Sequence, residues 1–214
     1  MRELRAVVTL VMVVMAASSS CGGTRVVCPR CGGMEVPYPL STQDGCGEPN
    51  YRIHCNDNEE KGSLELQFKS QVEYYYKILH IDVTRSRMVI ETPEIRSDAC
   101  YSSDLKQGGL KLDDGLPFNI SSRNTVMLFN CSDSILLSPL NCSGASPCRL
   151  FERAVPEGRG CANSLCCSFL KDASITAHRI KVRLGGCTAY TSVVDLRRSD
   201  SPETWMYGVE LQWS

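Results

Sequence analysis

Cysteine is the residue type in this chain most able to do chemistry, and there are thirteen in 214 residues. Cys28-Pro29-Arg30-Cys31 has the C-x2-C spacing of half a zinc site. A zinc ribbon needs a second such pair. Cys166 and Cys167 are adjacent instead, and the other spacings are irregular. The histidines are His54, His80 and His178. His80 and Asp82 fall on one face of a period-two segment, as do Arg52 and His54, and a solvated strand face produces such pairs by default. No G-x-S-x-G, H-E-x-x-H or Walker-type loop occurs. Glu91, Glu94 and Asp98 are acids without the spacing signature of a glycosidase pair. The expectation is a protein that is not an enzyme, with no metal and no cofactor.

The N-terminus explains what else the cysteines do. Arg2 and Arg5 precede the apolar run Ala6 to Ala17, and small residues follow to Ser20. That order reads as a signal peptide over residues 1–20, with approximate cleavage. The run is short of the ~20 apolar residues that span a bilayer, and no later segment is apolar enough. A secreted, extracellular chain is expected, in an oxidising compartment. Cys21 sits at the cleavage region. The other cysteines, Cys28, Cys31, Cys46, Cys55, Cys100, Cys131, Cys142, Cys148, Cys161, Cys166, Cys167 and Cys187, form an even set that reads as a framework of up to six disulfides, with open connectivity. Asn119, Asn130 and Asn141 each begin an N-x-Ser sequon, which fits a glycosylated surface.

The formal net charge is −1, which argues against a nucleic-acid binder relying on bulk positive charge. An anionic ligand would need a local basic patch. Two exist. Arg85 and Arg87 flank Ser86 in a predicted turn, after the strand that carries Tyr74-Tyr75-Tyr76. Arg179, Lys181 and Arg183 form a row along a second predicted strand, with ~6.6 Å between successive charges. The guanidinium fork matches a carboxylate, so both are candidate ligand-binding groups for an acidic sugar. The tyrosines read better as strand residues, buried or half-buried, than as a sugar platform.

The elements that must position these groups are strands. Period-two alternation runs through Tyr51 to Cys55, Leu64 to Phe68, Leu79 to Val83, Ile180 to Leu184 and Tyr207 to Trp213, with a returning strand at Met88 to Thr92. Only short helical turns are expected, around Leu150 to Ala154. The fold class is mainly β: disulfide-rich antiparallel sheets with long loops and few short helices. Gly108-Gly109 and Asp113-Asp114-Gly115 mark a loop that divides the chain into parts 24–107 and 108–214, which are able to pack as one unit.

Three segments in order carry a family resemblance: Cys28-Pro-Arg-Cys31-Gly32, Val36-Pro-Tyr-Pro-Leu40, and Cys46-Gly-Glu-Pro-Asn-Tyr51-Arg-Ile-His-Cys55. Together they resemble the opening of the galacturonan-binding ectodomain of plant wall-associated receptor kinases. Gly185 to Val194 and Trp205 to Trp213 resemble the later part of the same ectodomains. The resemblance implies a galacturonan-binding-like cysteine-rich domain over 24–107 and a C-terminal cysteine-rich ectodomain part over 108–214. Leu40-Ser41 departs from the family's usual Phe-Gly. Similar receptors continue into a membrane helix and a kinase, whereas this sequence ends at Ser214, so kinase activity does not carry over. The implied function is non-catalytic binding of pectic polysaccharide in the plant cell wall. The alternative is a protein-interaction ectodomain, a soluble partner or decoy of a receptor kinase. The expected partners are galacturonan and, secondly, a membrane receptor, with no nucleic acid.

Overall fold

The computed structural model describes residues 26–58, 62–96, 98–135, 140–171, 180 and 186–214. They form antiparallel sheets. β1 (His54–Asn58), β2 (Ser63–Lys69), β3 (Tyr75–Asp82) and β4 (Arg87–Ile90) follow one another as a meander. The chain then adds β12 (Val209–Trp213) beside β4 and β7 (Phe118–Ile120) beyond it, giving the order β1-β2-β3-β4-β12-β7. A second sheet has the order β11-β10-β8-β9, from Met206–Tyr207, Ala189–Val194, Asn124–Cys131 and Leu165–Leu170. A two-stranded ribbon pairs β5 (Ile95–Arg96) with β6 (Tyr101–Ser102), and α1 spans Pro147–Ala154.

Side-chain alternation builds the first layer. In β2, Leu66 and Phe68 turn inward and are buried, while Glu65 and Gln67 are only partly covered. In β3 the inward residues are Tyr76 and Ile78. The expectation that Leu79, Ile81 and Val83 share the core face is not met. The register shifts between Ile78 and His80, and Leu79 and Val83 are 40% and 42% exposed. Leu79 points outward because it follows inward Ile78, the bulge brings Ile81 back to pack partly against the core, and Val83 lies past the end of the strand.

The second sheet is the middle layer. In β8, Val126 and Leu128 join a core with Phe68, Phe118 and Trp213, while Met127 and Phe129 join another with Phe151 and Trp205. Because both faces are covered, β8 reads as a continuous apolar run rather than an alternating one. Cys166 and Cys167 use the same geometry. As neighbours in β9 they point to opposite faces, and Cys166 bonds Cys148 in one core while Cys167 bonds Cys142 at the other.

All twelve cysteines of the expected framework are paired: Cys28–Cys46, Cys31–Cys55, Cys100–Cys161 and Cys131–Cys187 complete the set. Cys28 and Cys31 therefore bond to different partners and clasp the N-terminal segment to the 46–55 region. Gly47, at φ +60°, packs so tightly that a Cβ would collide with the Leu40 carbonyl. The Cys46-Gly47 motif is framework.

Candidate carbohydrate-binding surface

Asp82 ends β3 and shapes the connection that presents Arg85. Its carboxylate accepts hydrogen bonds from the Thr84 hydroxyl at 2.6 Å and the Arg85 amide at 3.2 Å. A short 3-10 turn, Val83–Arg85, follows, and Ser86 takes a left-handed conformation (φ 53°) to start β4. The Thr84 hydroxyl first, then the Arg85 amide and guanidinium, hold the Asp82 carboxyl below its ordinary range. Arg85 Nη1 lies 3.3 Å from Asp82 Oδ2, yet its side chain stays 70% exposed. Most of its fork faces solvent.

Arg87 behaves differently. It reaches toward Glu210 of β12, Nη1 to Oε1 at 3.6 Å, and its side chain is 28% exposed. Glu210 lies on the face that alternation assigns to solvent, but it is buried. Arg123 explains why: its Nη1 donates to Glu210 Oε2 at 3.1 Å, while Nε and Nη2 form a fork on Asp195. That fork holds the Asp195 carboxyl below its usual range. Backbone bonds fix Arg123 in place. Its amide donates to Ser121 Oγ, and its carbonyl accepts from the Asp195 amide at 3.0 Å. The next residue, buried Asn124, donates to the Ser121 and Glu210 carbonyls and accepts from the Glu210 amide. The result is one charged surface from three distant stretches: Arg85 and Arg87, Arg123, and Asp195 with exposed Arg197. Arg123 and Arg197 were not among the sequence candidates: Arg123 is an isolated arginine, and the Arg197-Arg198 pair lies outside the turn and strand patterns that singled out the others.

The tyrosines lie elsewhere. Tyr75 opens β3 and Asp82 closes it, so the tyrosine triplet and Arg85 stand roughly 20 Å apart at ~3.3 Å per residue. Tyr76 is core; its hydroxyl and that of Tyr190 both donate to Asp104 Oδ2 at 2.7 Å. Burial raises the Asp104 carboxyl above its ordinary range, against the two hydroxyls. Tyr74 donates to or accepts from Ser103 Oγ at 2.8 Å. The second basic row, Arg179, Lys181 and Arg183, lies outside the described residues. Ile180 within it is buried, and its amide donates to the Leu110 carbonyl at 3.2 Å.

A cleft of about 750 Å³ opens beside the tyrosines, with walls from β3, the 91–95 segment, α1 and β11. Tyr74, Phe151 and Tyr207 give it aromatic walls, and Glu91, Glu94 and Glu157 line it as well. Burial, then Glu203 and Glu157, push the Tyr207 hydroxyl up to about 12. His54 packs edge-on against Tyr75 with ring centroids 5.4 Å apart, and burial, Lys69 and Arg52 lower its pKa. Asp98 sits 3.5 Å from Arg96. Among the described residues no three His, Cys, Asp or Glu side chains are grouped to hold a metal ion. No helix among them is long and apolar enough to cross a membrane.

Residues 18–92 match the family described as wall-associated receptor kinase galacturonan-binding. Wall-associated receptor kinase-like 20 of Arabidopsis thaliana is 39% identical over 87% of this chain, and wall-associated receptor kinase-like 15 is 36% identical over 87%. The chain spans 28% and 30% of the length of those two relatives. No solved structure matches. Arg85 and Arg87 fall inside the matched span. The chain thus carries the galacturonan-binding domain of wall-associated receptor kinases, and most of its length is homologous to wall-associated receptor kinase-like proteins.

Proposed function

We propose that this protein binds de-esterified galacturonan outside the cell, in the wall, without catalysing its turnover. The match of residues 18–92 to a galacturonan-binding family carries the reading. The exposed guanidinium of Arg85 supports it, because a fork with free donors suits the carboxylate repeated along a galacturonate chain. Arg87 and the Arg179, Lys181 and Arg183 row are the other proposed contacts. Arg123 and Arg197 extend the first surface across the sheet edge. Asn119, Asn130 and Asn141 are proposed glycan acceptors, each checked by the mass shift on endoglycosidase treatment.

Sedimentation of the oxidised, glycosylated protein with homogalacturonan tests the reading. Binding should weaken as salt rises, since exposed charges are screened beyond ~8 Å at physiological ionic strength. Methyl-esterified pectin should bind less, because it lacks the carboxylate. Equal retention on both polymers, or none on either, would overturn the proposal. Retention by receptor ectodomains without pectin would instead favour a membrane receptor as the partner.

A further inference from the structure

The aromatic cleft has the wrong charge for galacturonan. Glu91, Glu94 and Glu157 are exposed along it, and none of the three carboxylates takes part in a hydrogen bond or ion pair with another described residue. Lys77 is the cation among the lining residues, and it is engaged by Glu65 at 2.9 Å. Further acid stands close by: Glu203 acts on Tyr207, and Asp104 lies behind Tyr76. A polyanion entering here would meet net repulsion, because the one lining cation among the described residues, Lys77, is already paired. A cation would meet three uncompensated carboxylates and aromatic side chains.

From this geometry we infer that the cleft binds a cationic peptide segment of a partner protein. Its volume of about 750 Å³ is enough for several side chains. Exposed apolar surface favours a peptide over a small polyamine. Leu79 is 40% exposed at the cleft, and half-buried Val155 also lines it. A segment that alternates arginine or lysine with apolar residues uses both features, while a polyamine uses only the charge. The tyrosine end of the site stands roughly 20 Å along β3 from Arg85, so this inference does not rest on galacturonan binding.

The test is fluorescence anisotropy with a labelled hexapeptide of alternating arginine and leucine on the full oxidised chain. Spermine and an alternating glutamate-leucine hexapeptide serve as comparisons. The basic peptide should bind, the acidic peptide should not, and spermine should compete at least tenfold more weakly than unlabelled basic peptide. The combined Glu91→Gln, Glu94→Gln and Glu157→Gln variant should lose at least tenfold in affinity, while Arg85→Ala should not change it. These carboxylates are exposed and unpartnered, so the variant should unfold at the wild-type midpoint. Its retention on galacturonan, assayed separately, should stay at the wild-type level, whatever that level is. No binding of the basic peptide, equal binding by the triple variant, or spermine competing as well as the peptide would each overturn the inference. A parallel fall in galacturonan retention would place both ligands on one surface and overturn it too.

Discussion

Arg85 and Arg123 are both arginines near a carboxylate, but they are suited to different work. Arg85 keeps its side chain 70% exposed, so Arg85→Ala should weaken galacturonan retention with little effect on folding. A single exposed ion pair is worth ~0.2–1 kcal/mol, so the expected loss is about 1.4- to fivefold in a sedimentation isotherm. Arg123 joins Asp195 to buried Glu210, and Arg123→Ala leaves that carboxylate without its hydrogen-bonded partner. Arg87 still stands 3.6 Å from Glu210, so the loss should fall below the ~3 kcal/mol of a wholly uncompensated buried charge, and denaturant unfolding should show it as a lowered midpoint. The first arginine was legible in the sequence, because a turn with flanking arginines is a local pattern. The second was not, because its partners lie 72 and 87 residues away.

Asp104 makes a pH prediction at the same scale. Burial raises its folded-state pKa above the ordinary ~3.9 of an unfolded aspartate. The folded protein therefore holds this proton more tightly than the unfolded chain does. The contribution to stability is complete below the ordinary value and is lost as pH rises through the raised one. The stability difference between wild type and Asp104→Asn should shift in favour of wild type as pH falls through that window. A difference that is flat with pH in chemical unfolding would contradict this account.

At the scale of elements, β9 turns an unusual sequence into a simple geometry. Adjacent cysteines cannot bond the same face of a strand, so Cys166 and Cys167 must reach opposite cores. Peptide mapping by mass spectrometry should recover Cys148–Cys166 and Cys142–Cys167; the swapped pairs would mean a different register for β9. The N-terminal clasp offers a second test. Removing Cys31–Cys55, which closes a separation of 24 residues, with paired alanine substitutions should cost about 3 kcal/mol in unfolding free energy. The alternating strands β2 and β12 were visible as patterns of period two. β8 was not, because burial on both faces removes the polar residues that make a pattern. The bulge in β3 was hidden as well, since Leu79, Ile81 and Val83 continue the alternation in sequence while the backbone changes register.

The scale of the whole molecule is set by β12. Val209–Trp213 lies between β4 and β7, and the Tyr51 hydroxyl donates to the Ser214 carbonyl. The last strand thus completes a sheet begun by β1–β4. A fragment of residues 24–107 would leave β4 with an unpaired edge and would expose Met88 and Ile90, which are buried in the whole chain. Expressed alone, it should fail to give dispersed amide resonances, and adding a peptide of residues 205–214 should restore part of them. A well-dispersed fragment spectrum would instead support 24–107 as an independent domain.

What the sequence determined by itself was local in origin: the cysteine set, the β-rich class, the motif order of the galacturonan-binding family and the turn that presents Arg85. Each is written in neighbouring residues, through spacing, period or turn chemistry. The tertiary structure decided which cysteines pair, why Glu210 is buried, how Arg123 joins Arg87, and that an acidic aromatic cleft stands apart from the arginine surface. Those features depend on contacts between residues far apart in the chain. The Glu210 bridge between Arg87 and Arg123 exists only once the last strand has closed the first sheet, because only then do the side chains of three separate segments share one surface.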